Sequence, residues 1–200
     1  MMRSACARGG RDRVIFIVGG PCRTGKTTLG SMLHRALGVS PVPTDALVWM
    51  LQLGAPQLGV RHGARFDKAE RLFPFLAAFV DAYTAGDKTL ILEGDAVAPE
   101  HASGLAGRHQ VQACFLGHRQ ALPNDLTMDL GWASGHSREQ LQRLAQFVAL
   151  SSERTAKDCR RMGWPYFDVG ERGRAAALTE ALETLLQGLT SQYGGQPGSR

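Results

Sequence analysis

A stretch near the start of the chain combines residue types that bind phosphate. Residues 20–27 read Gly-Pro-Cys-Arg-Thr-Gly-Lys-Thr, which fits the spacing GxxxxGK[ST], and the apolar run 14–18 precedes them. Glycines at both ends let the backbone N–H groups point inward at phosphate oxygens, and the helix that follows adds the positive end of its dipole. A glycine-rich turn that binds nothing would not explain a lysine and a hydroxyl together at the helix start. The sequence therefore predicts a nucleoside triphosphate site.

Each residue of this loop has an expected role. Lys26 is expected to reach the β- and γ-phosphates, Thr27 to place its hydroxyl on Mg²⁺, and Thr28 to lie near the α-phosphate. The expected nucleotide-binding residues are Gly20, Pro21, Cys22, Arg23, Thr24, Gly25, Lys26, Thr27 and Thr28.

Three carboxylates follow predicted strands and could complete the site. Asp45 follows the second strand, where it can orient an acceptor hydroxyl or act as general base; the alternative is an ordinary helix cap. Glu93 ends an apolar strand, where a carboxylate can hold Mg²⁺ through water; the alternative is a surface acid. Asp95 could share that role or contact substrate. We therefore expect Thr27 and Glu93 to hold the metal.

Arginine is the commonest charged residue and outnumbers lysine 19 to 4. Kinases use a mobile loop to bring arginines to the phosphate that is being transferred. Arginine suits this role because its planar guanidinium makes bidentate contacts with phosphate. Arg138 and Arg143 are the first candidates for such catalytic arginines, and a solvated helix face is the alternative. The arginines on or just beyond the segment that starts near residue 121 are Arg138, Arg143, Arg154, Arg160 and Arg161.

Five short apolar runs alternate with helical patterns. The predicted strands are residues 14–18, 39–43, 89–92, 111–116 and 166–169. After the loop 54–66, Pro74 can be accommodated if the main helix starts there, and Ser137 with Gln140 has the spacing of a capping box. The alternation predicts a three-layer α/β sandwich with a five-stranded, mainly parallel sheet. Ligands then bind at the carboxyl ends of the strands.

The length of the chain indicates the number of domains, and its net charge indicates which kinds of partner it binds. The chain has 200 residues, and domains usually run about 100 to 200 residues. We predict a disordered basic tail over residues 1–13, a single domain over 14–190 with a lid at about 121–137, and a disordered tail over 191–200. The net charge of +5 falls to +1 for residues 14–199, so no nucleic-acid partner is expected.

The lengths of the apolar runs and the spacing of the cysteines indicate the cellular compartment of the protein. The longest aliphatic or aromatic run has five residues, whereas a membrane span needs about 20. The four cysteines lack the spacing of a zinc site. We expect a cytoplasmic protein that contacts no membrane.

Three segments together resemble the small P-loop kinases. They are residues 17–29, Thr44–Leu47 and Leu90–Asp95, and they look most similar to bacterial 2-phosphoglycerate kinase-like and chloramphenicol phosphotransferase-like proteins. The resemblance implies a nucleotide-kinase-like P-loop fold, ATP·Mg²⁺ as donor, and a small-molecule acceptor whose hydroxyl lies near Asp45. Residues 54–66, on the expected acceptor side, match no family pattern. The basic residues in or beside that loop bind an anionic acceptor or merely decorate a loop; they are Arg61, His62 and Arg65.

These features together predict an ATP-dependent small-molecule kinase, monomeric or homodimeric, with Lys26, Asp45, Arg138 and Arg143 as catalytic residues. Two alternatives stay open. One is a nucleoside or nucleotide kinase of the same fold. The other is a P-loop ATPase or nucleotide-binding switch that has no acceptor.

Overall fold

The computed structural model describes residues 13–86, 88–127 and 134–193, in which strands and helices alternate. The strands are β1 (Val14–Gly19), β2 (Pro41–Pro43), β3 (Leu90–Gly94), β4 (Gln110–Gly117) and β5 (Tyr166–Asp168). The helices are α1 (Lys26–Leu37), α2 (Thr44–Gly54), α3 (Arg65–Thr84), α4 (Pro99–Ala106), α5 (Arg138–Met162) and α6 (Arg174–Tyr193). Short 3₁₀ turns lie at Pro56–Leu58 and Pro123–Leu126.

The strands form one parallel sheet in the order β2-β3-β1-β4-β5, which confirms the predicted α/β class. β1 lies at the centre, with β2 and β3 on one side of it, and the chain then crosses over to place β4 and β5 on the other side. Ligands of such sheets bind in the crevice at this reversal point. Because Val18 is paired with Glu93 and Gly19 with Gly94, β1 and β3 end side by side at that crevice.

Side chains of β1 alternate between two cores. Ile15 and Ile17 face the core shared with α2, α3 and α4, whereas Phe16 and Val18 face the core shared with α1 and α6. All six residues of β1 are buried, as expected for a parallel strand covered on both faces. The result is the predicted three-layer sandwich.

Helix α3 differs from the sequence prediction, which placed its start at Pro74. The helix begins at Arg65 and continues through Pro74, so that prediction was wrong. A proline inside a helix costs about 3 kcal/mol, because it lacks an N–H and its ring crowds the carbonyl four residues earlier. Leu72, Leu76 and Val80 are completely buried along the same helix, and their burial offsets this cost.

Parts of the predicted tails and lid lie outside the described residues, namely 1–12, 128–133 and 194–200. Arg13, in the predicted first tail, donates from Nη1 to the Thr84 carbonyl oxygen at 3.4 Å. Helix α6 continues to Tyr193, past the predicted domain end at residue 190. At the start of α5 the Ser137 hydroxyl accepts a hydrogen bond from the Gln140 N–H at 3.2 Å, which confirms the predicted capping box. None of the described helices is long and apolar enough to cross a membrane.

Candidate active site

The predicted phosphate-binding loop, residues 20–27, leaves β1 at the centre of the sheet and is shaped by its glycines. Gly20 has φ 137° and Gly25 has φ 97°, values that L-residues with side chains rarely adopt. A Cβ on Gly20 would also collide with the Leu116 carbonyl oxygen of β4. The buried Thr24 hydroxyl donates to the Pro21 carbonyl oxygen at 2.9 Å and closes the loop. Glycine at position 20 is therefore required by the backbone itself.

The start of α1 is suited to an anion. Its N-cap, Gly25, supplies no side-chain hydrogen bond, and its first turn contains no acid. The first amides of a helix need acceptors, and the helix dipole is positive there. The buried Lys26 ammonium donates to the Pro21 carbonyl oxygen at 2.8 Å, and burial lowers the pKa of Lys26 while Asp95 opposes that change. A phosphate oxygen is a stronger acceptor for Lys26 than this carbonyl, so the loop fits the predicted triphosphate.

Thr27 and Glu93, the predicted metal-binding pair, lie in contact. The Thr27 hydroxyl is 3.3 Å from each carboxylate oxygen of Glu93 and donates to that carboxylate. Burial raises the pKa of Glu93, Lys26 and the Thr27 hydroxyl lower it, and the carboxylates of Asp45 and Asp95 raise it. Hydroxyl and carboxylate oxygens are the ligands that Mg²⁺ prefers in proteins. The pair therefore fits the metal that the sequence predicts.

Asp45 and Asp95 are joined by a lysine that the sequence analysis missed. Asp45 lies inside the first turn of α2, whose N-cap is Pro43, so Asp45 is not the helix cap. Lys68 is 4% exposed, and its Nζ lies 2.5 Å from Oδ1 of Asp95 and 3.7 Å from Oδ1 of Asp45. The Asp45 side chain is 56% exposed and so remains accessible. Placing the start of α3 at Arg65 would have put Lys68 on the same helix face as Leu72, which was the signal for a buried position.

Arg65 is neither exposed for binding an acceptor nor part of a surface loop. Its side chain is completely buried, and its Nε donates to the Asp95 carbonyl oxygen at 3.0 Å. Its Nη1 donates to the Thr155 hydroxyl at 2.7 Å, which joins α3 to α5. Burial lowers the pKa of Arg65 to about 10. Of the other two basic residues named with it, Arg61 is exposed and His62 packs against Trp49 with ring centroids 4.5 Å apart.

The tip of the phosphate loop is fixed to the start of the predicted lid region. The Arg23 guanidinium donates from Nε and Nη2 to the Leu126 carbonyl oxygen, at 3.2 and 2.8 Å. Cys22 is half-buried against the small cluster that contains Leu126 and Val148, and burial raises the pKa of its thiol. A thiol with a raised pKa is a poor nucleophile, so Cys22 is suited to packing.

The two predicted catalytic arginines lie away from the loop. Arg138 and Arg143 are exposed on the first turns of α5, and each lines a cavity separate from the one beside the loop. The cavity beside the loop instead contains Arg174, a residue that the sequence analysis did not single out. Arg174 follows β5, and the carboxyl end of that strand lies at the same sheet edge as the loop. This cavity measures about 380 Å³ and is lined by Arg23, Gly25, Lys26, Thr27, Thr28, Asp125 and Arg174.

Comparison with known proteins identifies the fold. No protein-family model matches the sequence, and no curated protein is significantly similar to it. A gluconokinase from Sinorhizobium meliloti 1021 has a similar structure, with a TM-score of 0.57 and 16% identity over 93% of this chain and 98% of that chain. A shikimate kinase from Bacteroides thetaiotaomicron has a TM-score of 0.53 and 19% identity over 88% of this chain and 98% of that chain. A shikimate kinase from Acinetobacter baumannii in complex with shikimate has a TM-score of 0.51 and 13% identity, covering 89% and 95% of the two chains.

The structural similarity supports the fold, and because the identities are below 20% it leaves the substrate open. The narrower resemblance, to 2-phosphoglycerate kinase-like and chloramphenicol phosphotransferase-like proteins, stays a prediction. The chain has the parallel α/β fold of the small P-loop kinases.

Proposed function

We propose that the protein is an ATP-dependent kinase that phosphorylates a hydroxyl group of a small molecule. One arrangement carries this proposal: an accessible carboxylate is connected through short contacts to the phosphate-binding loop. Thr27 contacts Glu93, and two residues later Asp95 pairs with Lys68, which also lies 3.7 Å from the exposed Asp45. A nucleotide switch needs the loop and the metal ligands but has no use for a carboxylate held open to an acceptor.

The donor side follows from the loop. Lys26 would exchange the Pro21 carbonyl oxygen for β- and γ-phosphate oxygens, while the first amides of α1 bind the same phosphates. Thr27 and Glu93 would hold Mg²⁺. Mg·ATP, when bound, supplies the phosphoryl group and neutralises part of its charge.

The acceptor side follows from Asp45. In the proposed reaction the acceptor oxygen forms a bond to the γ-phosphorus, the bond from that phosphorus to the ADP oxygen breaks, and the hydroxyl proton passes to Asp45. Lys68 positions Asp45 and Asp95 by its charge. Arg138 and Arg143 stay proposed catalytic cations, and they would have to reach the site from the exposed surface of α5.

The class of acceptor is proposed from the names of the structural neighbours. Gluconokinase and shikimate kinase act on small molecules, which supports a small-molecule acceptor over a macromolecular one. We further propose a cytoplasmic enzyme, monomeric or homodimeric, with no nucleic-acid or membrane partner.

A metabolite screen for acceptor-dependent ADP release tests this function. Lys26→Ala is expected to abolish phosphate transfer, because the loss removes the charge that contacts the transferring group. Lys157→Ala on the exposed face of α5 is the matched control and is expected to retain full activity.

The outcomes separate the three candidate functions. Phosphate on a non-nucleoside acceptor supports the proposal, and phosphate on nucleosides alone indicates the nucleoside kinase. Hydrolysis that no acceptor accelerates indicates the ATPase or switch. Unchanged ATP consumption by Lys26→Ala would overturn all three.

A further inference from the structure

Arg174 lines the cavity beside the predicted phosphate-binding loop, although it belongs to the opposite end of the sequence. Leu178 of α6 packs on Gly25, since a Cβ at that glycine would lie 3.3 Å from both δ-carbons of the leucine. Arg174 is one helical turn before Leu178 and therefore shares its face of α6. The arginine lines the same cavity as Gly25, Thr27 and Thr28.

The charge of Arg174 is poorly compensated. It is the first residue of α6, where the helix dipole is positive and a cation is unfavourable. Arg174 makes no hydrogen bond or ion pair with another residue in the described part of the chain. Burial lowers the pKa of Arg174, the nearby Arg23 lowers it further, and Asp125 alone opposes them. Oδ2 of Asp125 already accepts a hydrogen bond from the Leu122 N–H at 2.8 Å.

Arg172, two residues before Arg174, shows the ordinary environment of a surface arginine. Arg172 lies just before α6, is exposed, and forms an ion pair with Glu180 at 2.6 Å. Arg174 is instead half-buried at a cavity that already contains Lys26 and Arg23. The cavity lining thus contains three cations and one carboxylate, Asp125, and this excess of positive charge favours an anion in the cavity.

We propose that Arg174 is a nucleotide-binding residue that contacts the part of the phosphate chain shared by ADP and ATP. Thr28, which is expected near the α-phosphate, lines the same cavity as Arg174, and the Thr27 hydroxyl donates to Glu93, so the assigned contact is to the α- and β-phosphates. The inference rests on the proposed function only in that the ligand is a nucleoside triphosphate. Arg174, which belongs to helix α6 of the sandwich, then contributes positive charge to nucleotide binding, in addition to any arginine on the surface of α5.

Calorimetric titration with Mg·ADP and with a non-hydrolysable Mg·ATP analogue tests the proposal, because it needs no acceptor. Arg174→Gln is expected to weaken both ligands about tenfold or more, the usual effect of losing a hydrogen bond to a charged group. Arg172→Gln, the matched control, is expected to change neither affinity by more than about twofold. Arg174→Lys is expected to recover part of the loss, since it keeps the charge but not the planar geometry.

Each outcome decides for or against the proposal. Equal affinities of wild type and Arg174→Gln, with matching thermal unfolding, would overturn it. A loss confined to the Mg·ATP analogue would also overturn it, because the contact would then be to the γ-phosphate. If Arg174→Gln weakens both nucleotides but the screen yields no phosphorylated acceptor, the nucleotide contact stands and the kinase function fails.

Discussion

Lys68 is a buried cation whose removal tests the charge arrangement on the acceptor side. Lys68→Met keeps the length of the side chain and removes its charge. The variant leaves the Asp95 carboxylate, which is 17% exposed, without the ammonium that now lies 2.5 Å from it. Breaking a buried ion pair from one side costs about 3 to 5 kcal/mol. Because Asp95 keeps some solvent contact, we expect the free energy of unfolding to fall by about 3 kcal/mol.

The matched controls separate lost charge from lost packing. Arg71→Met, on the exposed side of the same helix, breaks the ion pair with Asp67 and is expected to cost less than about 1 kcal/mol. Asp95→Asn combined with Lys68→Met removes both members of the buried pair. We expect the double variant to be more stable than the sum of the single effects predicts, by about 1 to 2 kcal/mol.

Urea unfolding followed by circular dichroism measures these free energies for the wild type, the double variant and the single variants Lys68→Met, Asp95→Asn and Arg71→Met. Two results would refute the reasoning. One is a cost for Lys68→Met no larger than that for Arg71→Met. The other is strict additivity of the Lys68 and Asp95 substitutions, which would mean that the two charges do not interact.

Three further predictions concern the loop, the proposed metal-binding pair Thr27 and Glu93, and a buried histidine. Gly20→Ala should abolish nucleotide binding in a titration, because its Cβ would collide with the carbonyl oxygen of the neighbouring strand. Glu93→Gln should reduce the Mg²⁺-dependent gain in ADP affinity about tenfold, while affinity without Mg²⁺ changes little. His101 is buried, accepts a hydrogen bond from the Ala98 N–H on Nδ1, and has its pKa lowered by burial despite the nearby Glu70. The neutral form is therefore favoured in the folded state, so stability should fall as pH drops below about 6.5, and urea titrations of His101→Gln should show a weaker fall.

The sheet and the donor side were predictable because short-range patterns determine them. The continuous apolar run of β1 can be buried only by helices on both faces, and the glycine spacing after it fixes a loop at a strand end. Parallel strands share one carboxyl edge, so β1 and β3 were expected to end at the same edge, and their pairing in the sheet brings the two ends together. That reasoning placed Thr27 beside Glu93, and the structure has them in contact.

The acceptor side was less predictable because one proline was given too much weight. Local propensity favours Pro74 at a helix start, whereas long-range packing of Leu72 and Leu76 extends α3 back to Arg65. Once the helix start is misplaced, the helical period cannot show that Lys68 faces inward. The burial of Lys68 also depends on Asp45 and Asp95, which come from distant segments of the chain. The residue spacing within α3 gives no information about those two acids.

The arginines show why counting charges along the chain locates a site poorly. Guanidinium groups that already have partners are stabilised where they stand: Arg65 bonds a carbonyl and a hydroxyl, and Arg119 pairs with Asp168 at 3.1 Å. A cation is destabilised when it is half-buried, lies beside another cation and stands at the positive end of a helix. Binding of an anion would offset that electrostatic cost. Arg174 has all three properties, whereas exposed Arg138 does not. The difference lies in desolvation and partners, which only the folded arrangement specifies, and it directs the search for nucleotide-binding charge to α6.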